Sequence, residues 1–390
     1  MSNNWQPKTY SQRGFQPENP IRSLGIGVCA LIDYQDFVPT RDWDNLVACL
    51  NGSVVDASPS YEETSLSALG YSNYGWVLAP NGFIYAAPYH SDYALKIDPV
   101  SGTATGIGSA YVGSGKWFGA ALGADGKIYA APQHINSIMV INPEDDSVTT
   151  IAKPSTGAST WQFRGVCAVG PYVFLIPFDA VRIIKIDTRD QSVSIFGSLA
   201  GLNDVSGVNL GRYSDATVGP DGMIYAIPRR ASYVMQIDPE TESYVQFGAA
   251  HEDGTLNDKH RGGCMALNGS IYAPPRAADR VLKIDPEGGT VTSIGGTLSN
   301  TWVSAALGLD GKIYCAPEGN YGWLVIDPAD DSVTVSSLIA SGSFAAGAVC
   351  FPSGVVGVPV DPNSSLAKIT WGANQFSADA LLTDPFNNGS

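Results

Sequence analysis

Charge is scarce in this chain. Only 15% of its 390 residues are Asp, Glu, Lys or Arg, against about a quarter in an ordinary globular domain. What charge there is runs acidic, with 37 Asp and Glu against 22 Lys and Arg and a net of −15. No run of Lys or Arg occurs, which excludes nucleic acid as a partner. No stretch approaches the ~18 consecutive apolar residues of a membrane span. Met1 to Pro20 holds no basic-then-apolar segment, so the expectation is synthesis in the cytoplasm without a signal peptide. The cysteines, at 29, 49, 167, 264, 315 and 350, form no Cys-x-x-Cys pair. They read as small buried residues of a reducing compartment, neither a disulfide framework nor a metal site. Gly-x-Ser-x-Gly, a phosphate loop and His-Glu-x-x-His are all missing. No cofactor, no metal and no catalytic residue is therefore assigned.

Turn residues, in contrast, are plentiful. Gly (43) and Pro (25) together make about a sixth of the chain, and they recur in register. Asp125-Gly126-Lys127-Ile128-Tyr129-Ala130-Ala131-Pro132 runs on to Ile141-Asn142-Pro143. Asn81-Gly82 to Pro88, Gly170-Pro171 to Pro177, Asp221-Gly222 to Pro228, Asn268-Gly269 to Pro275 and Asp310-Gly311 to Pro317 repeat the pattern, and a worn copy ends at Pro359. The marked prolines are spaced by 44, 45, 51, 47, 42 and 42 residues. A period of 40–50 residues in a strand-rich chain points to a propeller with one four-stranded sheet per repeat.

Each part of the repeat has a physical reason. Asp-Gly or Asn-Gly between apolar runs predicts a tight hairpin, here a two-residue primed turn. Ile-Tyr-Ala-Ala suits an inner strand, and the proline after it cannot donate to a ladder and ends that strand. Val/Leu-Lys-Ile alternates as a half-buried third strand does. Asp-Pro then opens a turn whose Asp side chain bonds backbone amides beyond it. The predicted fold is all-β, a seven-bladed β-propeller of four-stranded blades, with two stacked sandwiches as the alternative. The seven repeats occupy residues 67–390, and Gln375–Leu382 is the candidate outer strand of the last blade.

Residues 1–66 belong to no repeat and read as an N-terminal arm and docking segment. Trp5, Tyr10 and Phe15 stand five apart among polar residues, and Trp43 lies on a predicted short helix, Arg41 to Leu50. These aromatics are the candidate anchors for other proteins of an assembly; a plain disordered tail is the alternative.

The repeat, Asp-Gly-x-Ile-Tyr-x-x-Pro followed by Val-x-x-Ile-Asp-Pro and a Thr/Val strand, resembles the seven-bladed propellers of the broad YVTN/streptogramin-lyase-like class. The resemblance implies the fold and leaves function open between lyases, lactonases, dehydrogenases and binding platforms. A compact propeller on a docking arm is also similar in organisation to tail, baseplate or capsid-associated proteins of bacteriophages. Two functions follow. One is a non-enzymatic structural or binding module, a component of an assembly such as a virion. The other is a propeller lyase or hydrolase with its site at the channel mouth.

The repeat also assigns loops to faces. The Asp-Gly and Asp-Pro turns share one end of the ring. The long linkers and the loops after each proline share the other. A ring of residues opens the first strands, namely Asn73, Trp117, Phe163, Tyr213, His260, Trp302 and Phe344. Such rings either pack between blades or offer stacking surfaces to a glycan. The linker end also receives Arg164, Arg229, Arg230, Arg261 and Arg276. The candidate ligand-binding set is thus Trp117, Arg164, Tyr213, Arg229, Arg230, His260, Arg261, Arg276 and Trp302, and the expected ligand a glycan or an acidic molecule. A metal would draw on His90, His134, His251 or His260. A lyase base would most readily pair His260 with Asp215.

Overall fold

The computed structural model describes residues 60–65, 73–158, 160–199, 211–250, 258–308, 310–339, 347–351, 354–358 and 365–370. Six blades each take four consecutive antiparallel strands, numbered here from the channel outward. Blade 1 is Asn73–Leu78, Ile84–Pro88, Ala94–Ile97 and Ala104–Ile107. Blade 2 is Trp117–Leu122, Ile128–Pro132, Ser137–Asn142 and Ser147–Ala152. Blades 3, 4, 5 and 6 begin at Phe163, Tyr213, Cys264 and Trp302 and end at Phe196, Phe247, Ile294 and Ile339. The second strand ends on Pro88, Pro132, Pro177, Pro228 and Pro317, as the missing donor requires. No helix occurs among the described residues.

A further four-stranded sheet is composite. Gly347–Phe351, Gly354–Val358 and Ser365–Thr370 supply three strands, and Ser60–Ser65 is the fourth. The expectation of seven blades built one per repeat is corrected here: six blades obey it, and the last repeat is completed from the head. Residues 1–66 therefore do not all lie outside the propeller. Ser60–Ser65 pairs with Ser365–Thr370 from Ser60↔Thr370 to Ser65↔Ser365. The expected closing strand, Gln375–Leu382, falls outside the described residues, as do Trp5, Tyr10, Phe15, Trp43, the helix over 41–50, His251 and Phe344. The strand Gly347–Phe351 packs against the innermost strands of both blade 1 and blade 6.

The Asp-Gly hairpins differ from the predicted primed turns. Gly126 N–H donates to the Gly123 carbonyl at 3.0 Å, and Gly123 N–H to the Lys127 carbonyl at 2.7 Å. Gly126 alone takes a left-handed φ, of 79°. That is a longer loop with a glycine bulge, not a two-residue turn. It frees the aspartate for other work. Asp125 accepts the Lys127 amide at 3.2 Å on one oxygen and the Tyr129 hydroxyl at 2.9 Å on the other. The Asp-Pro turns behave as expected, with Asp98 accepting the Val100 amide at 2.8 Å and Asp238 the Glu240 amide at 2.9 Å.

Neighbouring blades are latched at this end by an alternating device. In blades 1, 3 and 5 the third strand carries Lys96, Lys185 and Lys283. Each reaches an acid of the next blade: Asp146 at 2.7 Å, Glu242 at 2.8 Å and Asp331 at 2.6 Å. Those acids stand at φ of 58°, 54° and 59°. In blades 2, 4 and 6 the matching residue is Val140, Gln236 or Val325. There the second-strand tyrosine turns to its own blade, Tyr129 to Asp125, Tyr225 to Asp221 and Tyr314 to Asp310. The composite sheet also carries a third-strand lysine, but Lys368 donates to a backbone carbonyl of blade 1, that of Val100, at 3.1 Å.

Asp331 also accepts the Tyr272 hydroxyl at 2.6 Å, so it ends two bonds across one junction. Asp331→Asn keeps a residue that tolerates the left-handed backbone and removes the charge. It should lower the unfolding free energy by about 1 kcal/mol, between a charged hydrogen bond and a half-exposed ion pair. In Lys283→Met the same substitution should cost less, which a denaturant-melt double-mutant cycle measures.

Candidate functional site

Register fixes the two ends of the propeller. In blade 4, Val218 pairs with Ile224 beside the Asp-Gly turn, and Tyr213 pairs with Pro228 at the far end. Arg229 and Arg230 follow Pro228, and Arg276 follows Pro275, so the arginines and the Asp-Gly turns occupy opposite ends, as expected.

At the linker end the pairing of first and second strands slips. The irregularity falls between Tyr74 and Val77, Trp117 and Ala120, Phe163 and Gly165, Tyr213 and Asp215, and Trp302 and Ser304. A bulge of this kind re-aims side chains. The residue opening each slip in blades 2, 3, 4 and 6 turns away from the channel. Trp117, Phe163 and Trp302 are fully buried and Tyr213 nearly so. The Trp117 indole donates to the Ser137 carbonyl at 2.8 Å and the Trp302 indole to the Gly322 carbonyl at 3.0 Å. His260 is also fully buried, bridges Pro275, and accepts the Ser214 hydroxyl on its carbonyl at 2.8 Å. Trp117, Tyr213, His260 and Trp302 were expected to form the binding surface; they pack the blades together instead.

The next residue in each blade lines the channel. Tyr74, Phe118, Arg164, Ser214, Arg261 and Val303 surround a cavity of about 150 Å³, with Trp76 and Asp215 beside them. Tyr74 and Phe118 stack with centroids 4.5 Å apart. Only Arg164 and Arg261 of this ring were in the expected set. The one-residue offset is what a bulge hides from repeat counting.

A backbone belt holds this mouth. Lys116 N–H donates to the Tyr89 carbonyl, Gln133 to Lys116, Gln162 to Gln133, Phe178 to Gln162, Arg212 to Phe178, Arg229 to Arg212, Lys259 to Arg229 and Arg276 to Lys259, all at 2.8–3.1 Å. The chain thus steps from blade 1 to blade 5 through main-chain bonds alone. Three cations of the belt are structural. Lys116 donates to the Gly113 carbonyl at 2.6 Å, Lys259 to Ala231 at 2.8 Å and Arg212 to Ala180 at 3.4 Å.

The remaining arginines divide sharply. Asp258 accepts Arg229 Nε at 2.7 Å, Arg261 Nη2 at 3.4 Å and the Arg276 guanidinium. Glu318 takes Arg276 Nη2 at 3.0 Å. Burial pushes the Asp258 carboxyl up, but Arg261, Arg229 and Arg276 outweigh it and leave it below its usual value. Arg230 lies against Gly211 and forms no ion pair among the described residues. Arg164 is 7% exposed, and its Nε and Nη1 have no hydrogen-bond partner among the described residues. Its guanidinium is held by aromatic faces, Phe178 at 4.1 Å, Phe118 at 4.6 Å and Trp161 at 5.2 Å. Burial first, then repulsion from Arg261 and Arg229, pulls its pKa down to about 9. Trp161 itself is 38% exposed and sits at φ 51°, a strained conformation for a bulky residue.

Asp215 shares the cavity. It accepts the Ala216 amide at 2.9 Å, and its charged neighbour is Arg261, not the anticipated His260. His90 lies 2.5 Å from the Ser114 hydroxyl, and His134 packs edge-on against Trp161 at 4.7 Å. Burial lowers the pKa of both. No cluster of three potential metal ligands occurs among the described residues.

No family model and no curated protein matches this sequence. Solved structures do match, at low identity. Virginiamycin B lyase from Staphylococcus aureus is 13% identical, with a TM-score of 0.66 over 81% of this chain and 100% of that one. Hydrazine synthase from Kuenenia stuttgartiensis is 13% identical, with a TM-score of 0.59 over 77% and 96%. The extracellular domain of a putative one-component system from B. thetaiotaomicron is 12% identical, with a TM-score of 0.58 over 78% of this chain and 39% of that one. At such identities the likeness is one of fold: an all-β propeller of four-stranded blades, shared with streptogramin B lyases and sensor domains. None of these neighbours supports a place in a virion.

Burial raises Asp215 from 3.8 to about 7, against the pull of the Ala216 amide and Arg261. The folded chain then keeps a proton that the unfolded chain releases near pH 4. Stability from this group is complete below pH ~4 and is lost as pH rises through about 7. Asp215→Asn should therefore gain melting temperature over the wild type between pH 5 and pH 8. Calorimetric scans across that range provide the check.

Proposed function

We propose that the chain is a non-enzymatic binding propeller that takes its ligand at the linker-end mouth of the central channel. One observation carries this reading. The backbone repeats from blade to blade, but the six channel-facing positions hold Tyr, Phe, Arg, Ser, Arg and Val. Side chains that break a repeat at one ring of positions suit a ligand without rotational symmetry. At the opposite end the charges recur in alternate blades and are consumed in latches. The composite sheet, set between blades 6 and 1, closes the ring as its seventh blade in this reading. Docking to other proteins through residues 1–66, with Trp5, Tyr10, Phe15 and Trp43 as anchors, rests on the chemistry of those aromatics. The buried thiols of Cys167 and Cys315 are in keeping with a reducing compartment.

A lyase reading has one observation in its favour. Asp215, with a pKa near 7, sits beside Arg261 and in one cavity with Arg164. A base close to neutrality next to guanidinium groups can remove a proton and stabilise the resulting anion.

The two readings separate in a thermal-shift screen of small ligands. A ligand at 100 times its Kd stabilises the fold by about 2.7 kcal/mol. Ala305→Phe, which fills the cavity, should abolish such shifts. Asp331→Asn, at the far end, should leave them intact. Shifts that survive Ala305→Phe unchanged would remove the channel as the site. Chemical turnover of a shifting ligand, lost in Asp215→Asn, would favour the lyase.

A further inference from the structure

Resting on that reading of the channel mouth, we infer that the ligand enters as a carboxylate, its −1 charge held by Arg164 and its second oxygen hydrogen-bonded to the protonated carboxyl of Asp215. Four features of the structure lead to this chemistry.

The first is an uncompensated charge. Burying a guanidinium costs several kcal/mol unless it is paired. Of the other cations at this mouth, Arg230 also keeps an unbonded Nε, but it does not line the cavity. Arg261, Arg229 and Arg276 share Asp258 and Glu318. Lys116, Arg212 and Lys259 cap carbonyls. Arg164 is left with unsatisfied Nε and Nη1 in a cage of Phe118, Trp161 and Phe178, and it lines the cavity. Aromatic faces hold a guanidinium plane in place but leave its N–H edge unbonded. Nε and Nη1 point to different edges, so each forms its fork with Nη2, and one such pair is the geometry a carboxylate meets with two parallel hydrogen bonds.

The second is the magnitude of the free charge. Of the two guanidiniums that line the cavity one is available, because Arg261 is committed to Asp258 at 3.4 Å. A monoanion balances it; a phosphate dianion would leave a negative charge in the channel. The third is size. The cavity of about 150 Å³ has room for several waters, and so for a carboxylate on a short carbon stem.

The fourth is the neighbour across the cavity. Asp215 is faced by Arg164 and Arg261, by Tyr74 from blade 1 and by the Cys167 thiol from blade 3. Burial favours its neutral form up to about pH 7. Neutral Asp215 donates its proton to an incoming carboxylate; ionised Asp215 repels it. Affinity should therefore hold steady below pH 7 and fall up to tenfold per pH unit above it.

The experiment is titration calorimetry of the full chain with acetate, galacturonate and inorganic phosphate at pH 6 and pH 8.5. The carboxylates should bind at pH 6 and weaken at least tenfold at pH 8.5; phosphate, mainly a monoanion at pH 6 and a dianion at pH 8.5, should be weaker than both at the higher pH. Galacturonate binding above acetate would mark an acidic sugar as the natural source; equal binding would mark a small organic acid. Arg164→Met should lose at least tenfold in carboxylate affinity, and it should melt higher than the wild type, since it removes a buried unpaired charge. Arg164→Lys guards against a folding defect in the first variant and should keep part of the affinity. Asp215→Asn should bind with no pH dependence. Carboxylate affinity unchanged in Arg164→Met, or phosphate preferred over carboxylates, overturns the inference. A neutral ligand whose binding Ala305→Phe abolishes, with no response to any carboxylate, overturns it too while leaving the channel mouth as the binding site.

Discussion

Everything in this propeller depends on how closely its innermost strands approach the axis. At Gly119 an added Cβ would run into the Arg164 carbonyl of the next blade, and at Gly75 it would lie 2.6 Å from the Ala120 amide nitrogen. Backbone touches backbone at these two positions, so no side chain fits there. The strands must instead find room for side chains one step nearer the mouth, where the bulges lie. The cavity, its ring of six unlike residues and the aromatic cage around Arg164 are consequences of that crowding. So is the main-chain belt, which is possible only because adjacent blades lie within hydrogen-bonding reach. A site built on such a frame loses little entropy on binding, because its walls are already fixed.

Most of the fold was legible in the residues, and the reason is local. A proline that ends a strand, an Asp that caps a turn and a glycine at a left-handed φ each act within a few positions, so their recurrence shows in the chain. The composite sheet was not legible, because Ser60–Ser65 is Ser-rich and resembles no repeat, and its partner lies some 300 residues away along the chain. The site was half legible. Arg164, Arg229, Arg261 and Arg276 were placed at the correct end by register alone. Trp117, Tyr213, His260 and Trp302 were misassigned because a bulge turns the strand by one residue, and with a side-chain period of two that moves every candidate to the other face. Reading one residue on would have given Tyr74, Phe118, Arg164, Ser214, Arg261 and Val303.

The solved structures of similar fold include lyases and extracellular sensor domains, which is what a frame of this kind permits. The blades fix the main chain, and the ring positions are free to carry different chemistry. In this chain the ring offers one unpaired cation, one neutral acid and two stacked aromatics. That combination, not the number of blades or the composition, is what a ligand at the mouth would meet.

The alternation of the latches has a consequence for how the molecule is divided. A lysine blade hands its charge to a neighbour that has none to pass on, so the self-sufficient unit is a couple of blades, not a single one. Blades 1–2, 3–4 and 5–6 are three such couples. The composite sheet, which carries Lys368, is a lysine blade set against another lysine blade, and the parity of the ring breaks there. This seam is also where the early and late parts of the chain are stitched together by Ser60–Ser65. Removing one couple would leave the other lysine–acid latches matched, whereas removing blade 2, 4 or 6 alone would strand the lysine of the blade before it.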